Sequence, residues 1–282
     1  MNRAKDWELP ISEAELTGLT RELDEAHRET IPSMFARAKD FSEELADTTT
    51  DTDTDTDTGT GVRPHSVGRR GFLVGVGGAG LGLALAACSS SSTSAGSGAV
   101  PGAASGSASA SAGSVYTGDL KVVALATALE NQAIAAYTAA LAAASAGKLG
   151  SVPAAVGTFA QTAMSQHSDH AKAWNGVLSS VGVPTISGVP LAGQPQVLSA
   201  LGAVTDVGGV AKLALQLENQ AAQTYLFAAA NVTSAGGIAT AASIAPVEAM
   251  HAAILLFVLG EYPVPDSFLG TSLAASTSTL TV

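Results

Sequence analysis

The chain has 282 residues and a formal net charge of −11, with most of its charged residues placed before residue 71. Between Ser89 and Val282 it contains eight acidic residues, four lysines and no arginine, so it offers no basic surface for nucleic acid. Its one cysteine, Cys88, excludes an intrachain disulfide and a cysteine-based metal site.

Residues 1–46 predict a charged helical leader. Ser12 and Glu15 match a capping box, and the leucines from Leu16 onward have helical spacing. A second short segment follows Pro32. We expect two weak, solvated helices with no core of their own, and the alternative is a role in binding a defined partner. The export signal described below, at residues 66–88, predicts that this leader lies on the cytoplasmic side of a membrane.

Residues 47–65 are dominated by alternating Thr and Asp. Such a composition cannot bury enough apolar surface to fold, so we expect a disordered linker.

An uncharged run of Gly, Ala, Leu and Val follows Arg69 and Arg70 within residues 66–88. At about 16 residues it is short for a membrane-spanning helix and typical of the apolar region of a signal peptide. Paired arginines before such a run resemble a twin-arginine export signal, although Gly68 stands where that pattern usually has Ser or Thr. The resemblance implies the twin-arginine translocase as a partner.

The apolar run ends Leu-Ala-Ala-Cys at Cys88, which resembles a bacterial lipobox whose cysteine is lipidated. A stray cysteine is the alternative. Because the signal starts far along the chain, either the leader is long, the true start lies downstream, or the run stays uncleaved as an anchor. Each option places residues 89–282 on the extracytoplasmic face of the membrane. Residues 89–114 are mostly Ser, Gly and Ala and predict a flexible tether.

A repeat organises the rest of the chain. Leu-Glu-Asn-Gln-Ala at residues 129–133 recurs at residues 217–221. The first copy is followed by His-x-x-His at 167–170 and the second by Glu-x-x-His at 248–251. A unit of two helices therefore occurs twice.

Residues 115–262 predict an all-α domain, followed by a C-terminal tail at 263–282. Short loops join the helices of each pair, whereas about 25 residues separate the pairs, enough to run the length of a helix. Pro246 predicts a kink or a later start in the last helix. One long crossover between the second and third helices is the connectivity of a ferritin-like four-helix bundle. The predicted helices are about 118–146, 153–181, 206–230 and 237–259.

Six polar side chains interrupt these apolar helices and are candidate metal ligands. A buried carboxylate is costly unless it is paired or bound to a metal. Residues three apart share a helix face, so both members of each i, i+3 pair can point inward. The candidate ligands are Glu130, His167, His170, Glu218, Glu248 and His251.

One Glu from each of two helices, with an i, i+3 pair from each of the other two, resembles the di-iron layout of ferritin-like proteins. Exported, lipid-anchored bacterial members share the signal, tether and bundle. The resemblance implies Fe(II) oxidation or peroxide handling at iron, with manganese or zinc as alternative metals. His167 stands where the family's motif, Glu-x-x-His, has its glutamate, which leaves three carboxylates. A site for a single ion is therefore an alternative to a dinuclear site.

Other interpretations remain open. Tyr137 and Tyr225 follow their glutamates by two helical turns, and we expect them either to bond to the ligands or to pack in the core. The six polar residues could also form a metal-free structural network in a non-catalytic cell-envelope or stress-related protein. An iron-storage cage is awkward for a lipid-anchored subunit. Asp169 is expected to face solvent near Lys172.

Overall fold

The computed structural model describes residues 7–50, 114–266 and 269–282, which belong to one compact unit. The predicted export signal at Arg69 and Arg70, the lipobox at Cys88 and most of the linker and tether lie outside the described residues. The α-helices in the described part of the chain are α1 Glu13–Thr50, α2 Asp119–Ser145, α3 Ala154–Ser180, α4 Gln194–Ala203, α5 Val207–Asn231 and α6 Ala235–Leu259.

Helices α2, α3, α5 and α6 form the bundle. α2 packs against α3 and α5 against α6, while α2 and α5 bring the two pairs together. The ends of these helices lie within two residues of the predicted ones. The all-α bundle with a long crossover between its second and third helices is therefore confirmed.

Local sequence signals set the ends of the second pair. Asp206 caps α5 by accepting from the amide of Gly209 at 2.7 Å, and Ser234 caps α6 in the same way. Gly260 ends α6 in the left-handed conformation, with φ of 75°. α6 continues through Pro246 instead of beginning there, because the helix already starts at Ala235.

The crossover and the C-terminal tail cover the side of the bundle formed by α2 and α5. The crossover contains α4, a helix that the sequence did not predict, and α4 packs against both α2 and α5. Asn131 donates from α2 to the carbonyl oxygens of Ile186 and Gly188, each at 2.9 Å. Leu191 and Leu280 pair across an isolated antiparallel bridge, which joins the tail to the crossover.

The expectation of two weak, solvated leader helices is wrong. Residues 13–50 form one helix that includes Pro32. The predicted capping box is present: the Ser12 hydroxyl accepts from the Glu15 amide at 3.1 Å, and the Glu15 carboxylate accepts from the Ser12 amide at 3.0 Å.

Helix α1 packs against α3 and α6, which have little direct contact with each other. Its apolar stripe has no core of its own but shares that of the bundle, and this burial outweighs the charge of its other faces. Glu13 accepts from the Ala155 amide at the start of α3, and Glu44 from the Gly236 amide at the start of α6. The buried residues of α1 are Leu16, Thr20, Leu23, His27, Met34, Ala38 and Phe41.

Among the described residues, α6 is the one helix long and apolar enough to cross a membrane, with a mean hydropathy of 1.9 over its most apolar stretch. Its packing against α5 and α1, and the full burial of Glu248 and His251, are features of a core helix.

Candidate metal centre

The four bundle helices bring all six predicted ligands together in the core. α2 and α5 each contribute one glutamate, and α3 and α6 each contribute an i, i+3 pair. Every one of the six side chains is at most 1% exposed. The walls around them are built largely of alanine, whose small side chain lets the helices approach and leaves the polar groups to meet in the centre.

The ligand atoms fall into two overlapping groups, and within each group they lie within 4.8 Å of one another. His167 and Glu248 belong to both groups. Glu130 and His170 complete the first group, and Glu218 and His251 complete the second.

Glu248 divides its two carboxylate oxygens between the groups. Oε1 lies 2.9 Å from Nδ1 of His170, and Oε2 lies 3.2 Å from Nδ1 of His251. The outer glutamates approach the same nitrogens, with Glu130 Oε1 at 3.5 Å from His170 and Glu218 Oε2 at 3.3 Å from His251. Each half thus presents one imidazole nitrogen and two carboxylate oxygens to a shared point.

This donor set fits a cation of moderate softness. Imidazole and carboxylate together suit iron, manganese and zinc. Glu248 Oε1 and Glu218 Oε2 are buried and make no hydrogen bond among the described residues, although each lies close to a histidine nitrogen. Buried anionic oxygens in that condition are costly, and a bound cation would satisfy both.

His167 lies between the two outer glutamates. Its Nδ1 is 2.7 Å from Glu130 Oε2, and its Nε2 is 3.2 Å from Glu218 Oε1. Nδ1 is also 3.6 Å from Glu248 Oε2. A carboxylate here could bridge two ions, whereas an imidazole directs one nitrogen to each side.

Electrostatics within the cluster oppose the effect of burial. Burial alone would raise the pKa of Glu130, but His170 and His167 outweigh it and lower that pKa to about 2. Burial would lower the pKa of His170, but Glu130 and Glu248 raise it to about 9. The carboxylates likewise hold the pKa of His167 well above its usual range. Three glutamates facing three protonated histidines carry no net charge, so the cluster is also compatible with a metal-free state.

The two predicted tyrosines bond to the ligands across the bundle. Tyr137 donates from α2 to Glu218 on α5, and Tyr225 donates from α5 to Glu130 on α2. Burial and the adjacent carboxylate raise the pKa of both phenols, so they stay protonated as donors. Trp174 donates to the Tyr225 hydroxyl at 2.9 Å and stacks on its ring, so it holds Tyr225 in place beside Glu130.

Two residues at the site were not singled out by the sequence. Gln166 lies 2.8 Å from Nε2 of His251, so its carbonyl oxygen accepts from that nitrogen. His27 on α1 packs edge-on against His170 with ring centroids 5.1 Å apart. The first could have been found from its place beside His167. His27 could not have been found in this way, because the sequence predicted a solvated helix in that segment.

Asp169 lies where the sequence placed it. It is partly exposed, and its Oδ1 accepts from Lys172 at 2.9 Å. Its other oxygen, Oδ2, is 3.7 Å from Nε2 of His27.

Residues 118–261, just over half of the chain, match the family described as Ferritin-like domain. No curated protein and no solved structure matches the chain. The matched residues contain all six candidate ligands and both tyrosines, and they leave out α1.

Proposed function

Because the chain belongs to the ferritin-like domain family, we propose that it is an exported, membrane-anchored protein that binds iron or manganese in its helical bundle. The metal serves redox chemistry in the handling of iron or peroxide. The site supports this function by placing nitrogen and carboxylate ligands around shared points in a water-poor core.

The position of Glu248 carries the proposal. Its two oxygens face one histidine nitrogen each, in two groups that lie side by side. A purely structural network needs no such division, whereas a carboxylate with one oxygen in each ligand group could serve a cation in either group.

The residues around the metal have distinct tasks. Glu130 and Glu218 would each hold the metal with a carboxylate, and Tyr137 and Tyr225 hold these two carboxylates in place by donating hydrogen bonds from their hydroxyl groups. The alanine-rich helices exclude water and so strengthen the electrostatic attraction of the site for a cation. Bound iron would supply one-electron chemistry toward dioxygen or peroxide.

His167 sets the number of ions. Two divalent ions carry four positive charges, and the three glutamates supply three negative ones. A second ion would therefore be bound more weakly than the first, and manganese or zinc could take the place of iron according to its availability.

A second candidate function rests on the charge balance of the cluster. Three protonated histidines would neutralise three glutamates without any metal, and a charge-balanced network of this kind can fix a single core arrangement. The protein would then be a non-catalytic component of the cell envelope with a vestigial site.

Export is proposed from the sequence of residues 66–88 alone. Arg69 and Arg70 precede the apolar run, and Cys88 ends it. The twin-arginine route carries proteins that are already folded, which suits a domain that acquires its metal before export. Lipidation of Cys88 would anchor the domain at the outer face of the membrane.

The test of metal binding is elemental analysis of the full chain, purified in detergent without a chelator or a metal-affinity column. One or two iron or manganese ions per chain are expected. Zinc at one per chain would indicate a structural or hydrolytic site. No metal after anaerobic loading with Fe(II) would contradict the proposal and favour the envelope protein.

The ligands are tested by Glu130→Ala and Glu218→Ala, with Glu261→Ala as a matched control because Glu261 is exposed. Both ligand variants should lose metal while their helix content stays nearly intact. If they keep as much metal as the control, the ligand assignment is wrong.

Export is tested by replacing Arg69 and Arg70 with lysine, and separately by Cys88→Ser. The first change should keep the protein in the cytoplasm, and the second should remove the lipid found by mass spectrometry. Unchanged membrane fractions and unchanged mass in both variants would contradict export and lipidation.

A further inference from the structure

The buried stripe of α1 is apolar or uncharged except at one position. Of its seven buried residues, Thr20 satisfies its hydroxyl by donating to the Leu16 carbonyl oxygen at 2.8 Å. His27 is the only ionisable one, and it is 2% exposed. A histidine costs more to bury than the leucines and phenylalanine along the same stripe, so its position calls for a partner.

That position is directly beside the metal centre. The ring of His27 meets the ring of His170 at an angle of 71°, with centroids 5.1 Å apart. Neither ring nitrogen of His27 has a hydrogen-bond partner among the described residues. Its Nε2 is 3.7 Å from the Asp169 carboxylate, whereas Nδ1 has no hydrogen-bond partner in the described part of the chain.

His170 also lacks a partner on its outer side. Its Nδ1 faces Glu248 and Glu130, and its Nε2 is buried with no hydrogen-bond partner among the described residues. A histidine that binds a metal through one nitrogen normally donates its other N–H to an acceptor, which fixes the tautomer and the ring orientation.

The other half of the site shows what such an acceptor looks like. His251 presents Nδ1 to the ligand group, and its Nε2 is held by Gln166 at 2.8 Å. Gln166 comes one residue before His167 on α3. The matching position on α6, one residue before Glu248, is Val247, which is buried and has no side-chain acceptor.

We propose that His27 is a positioning residue of the metal centre, in which it takes for His170 the part that Gln166 takes for His251. In the metal-loaded protein, Nδ1 of His27 accepts from the Nε2–H of His170, and Nε2–H of His27 faces Asp169. This rests on the proposed metal-binding function. With His27 in this role, α1 contributes a residue to the metal centre, although α1 lies outside the residues matched to the family.

The docking of α1 is specific enough to hold such a contact. A Cβ atom on Gly236 would lie 2.5 Å from the backbone nitrogen of Phe41, so α1 and α6 touch backbone to backbone at this point. Glu13 and Glu44 fix the two ends of α1 at the starts of α3 and α6. His27 is therefore held in register between two anchored ends.

The experiment uses the full chain and Co(II) as the probe, measured by chelator competition and by the visible absorption spectrum. His27→Phe should weaken Co(II) binding about 10–100-fold and change the spectrum. His27→Gln, which keeps an acceptor, should restore most of the affinity. The melting temperature of metal-free His27→Phe should not fall, because the change removes an unpaired buried polar group.

Met34→Ala is the matched control, since it weakens the packing of α1 without touching His170. It should lower the melting temperature and keep the cobalt spectrum. Affinity of His27→Phe within about twofold of the wild type, or a His27→Gln that binds no better than His27→Phe, would overturn the role of His27. A wild-type chain that binds no Co(II) would overturn the metal-binding proposal itself, and this inference with it.

Discussion

The half of the metal centre around Glu130 and His170 can be compared directly with the half around Glu218 and His251, since Glu248 lies between them. The contacts of the ligands are closely similar: Nδ1 of His170 and of His251 lie 2.9 and 3.2 Å from the two oxygens of Glu248. Each outer glutamate accepts a tyrosine hydroxyl from the opposite half. The duplicated sequence thus reproduces the ligands together with their tyrosines.

The halves differ in what lies behind the histidines. Gln166 from within the repeat holds His251. Behind His170 the corresponding residue is Val247, and the space is closed by His27 from α1. The duplicated helix pair therefore repeats one glutamate, one histidine and one tyrosine, while His167 stands in one copy where Glu248 stands in the other, and a helix from outside the repeat lies behind His170 alone. Variants should separate into those that affect both halves and those that affect one.

Glu248→Ala should have the largest effect, because Glu248 contributes to both halves. We expect metal binding to be lost altogether. In the metal-free protein the change leaves His170 and His251 with fewer counter-charges, which should lower the free energy of unfolding by about 3–5 kcal/mol. Elemental analysis and urea unfolding in the presence of a chelator measure the two effects.

Glu261→Ala is the control, and its free energy of unfolding should stay within about 0.5 kcal/mol of the wild type because Glu261 is exposed. Should Glu248→Ala fail to fold, Glu248→Gln keeps the volume and still removes the charge. Retention of full metal by Glu248→Gln would show that Glu248 is not a shared ligand.

The free energy of unfolding of the metal-free protein should fall at both low and high pH, because different groups titrate in the two ranges. Glu130 has a pKa of about 2 against an ordinary 4.5, so its contribution is present above pH 4.5 and is lost as pH falls towards 2. His170 has a pKa of about 9 against an ordinary 6.5, so its contribution is present below pH 6.5 and is lost as pH rises through 9.

Burial also lowers the pKa of His27 to about 4 against an ordinary 6.5, so its contribution is present above pH 6.5 and is lost as pH falls towards 4. The melting temperature with a chelator present should therefore be highest near pH 6.5 and decline on both sides. Each kcal/mol lost lowers it by about 2–4 °C for a domain of this size. Metal-loaded protein should lack the alkaline decline, since the ion replaces the protons on the histidines. A chelated sample equally stable at pH 6 and pH 9 would contradict the charge pairing described here.

The sequence predicted the bundle well because its signals are local and repeated. Glutamates inside alanine-rich helices, and partners three residues apart, placed the six candidate residues on helix faces that meet in the core. Asp206 marks the start of α5 because its carboxylate can cap the helix, and Gly260 marks the end of α6 because it lacks a side chain and can adopt the left-handed conformation. Whether the six residues bind metal is a prediction that the geometry leaves to experiment.

The sequence did not predict the docking of α1, because that depends on contacts more than a hundred residues apart. The sequence shows Leu16, Met34 and Phe41 only as apolar residues within a charged segment, and it is the space between α3 and α6 that provides a core for them. His27 appeared to be one more polar residue on a solvated segment. α4 was missed for a related reason, as a short helix within a proline-rich crossover has little periodicity of its own.

Gly236→Ala should loosen α1 and so act mainly on the first half. The new Cβ atom would lie 2.5 Å from the Phe41 nitrogen and 2.8 Å from its Cα, and backbone atoms cannot give way cheaply. We expect a loss of about 1–3 kcal/mol in the free energy of unfolding. Gly157→Ala is the control: its Cβ meets nothing within 4 Å, so it should be neutral or stabilising. Equal stability of the two variants would contradict the close packing of α1 on α6.

Gln166→Leu should have the smallest effect and the most selective one. It removes the acceptor behind His251 while roughly conserving volume, which leaves the buried Nε2–H of His251 without a partner. Because the Nε2 group of Gln166, itself buried without a partner, is removed as well, the net loss in the free energy of unfolding should be only about 1 kcal/mol. The affinity for Co(II) should fall about tenfold, because only the ligand group that contains Glu218 and His251 is affected. Combined with His27→Phe, the losses should add in free energy if each residue serves its own histidine. A double variant no weaker than either single one would mean that both residues act on one shared ion, and the two halves would then form a single site.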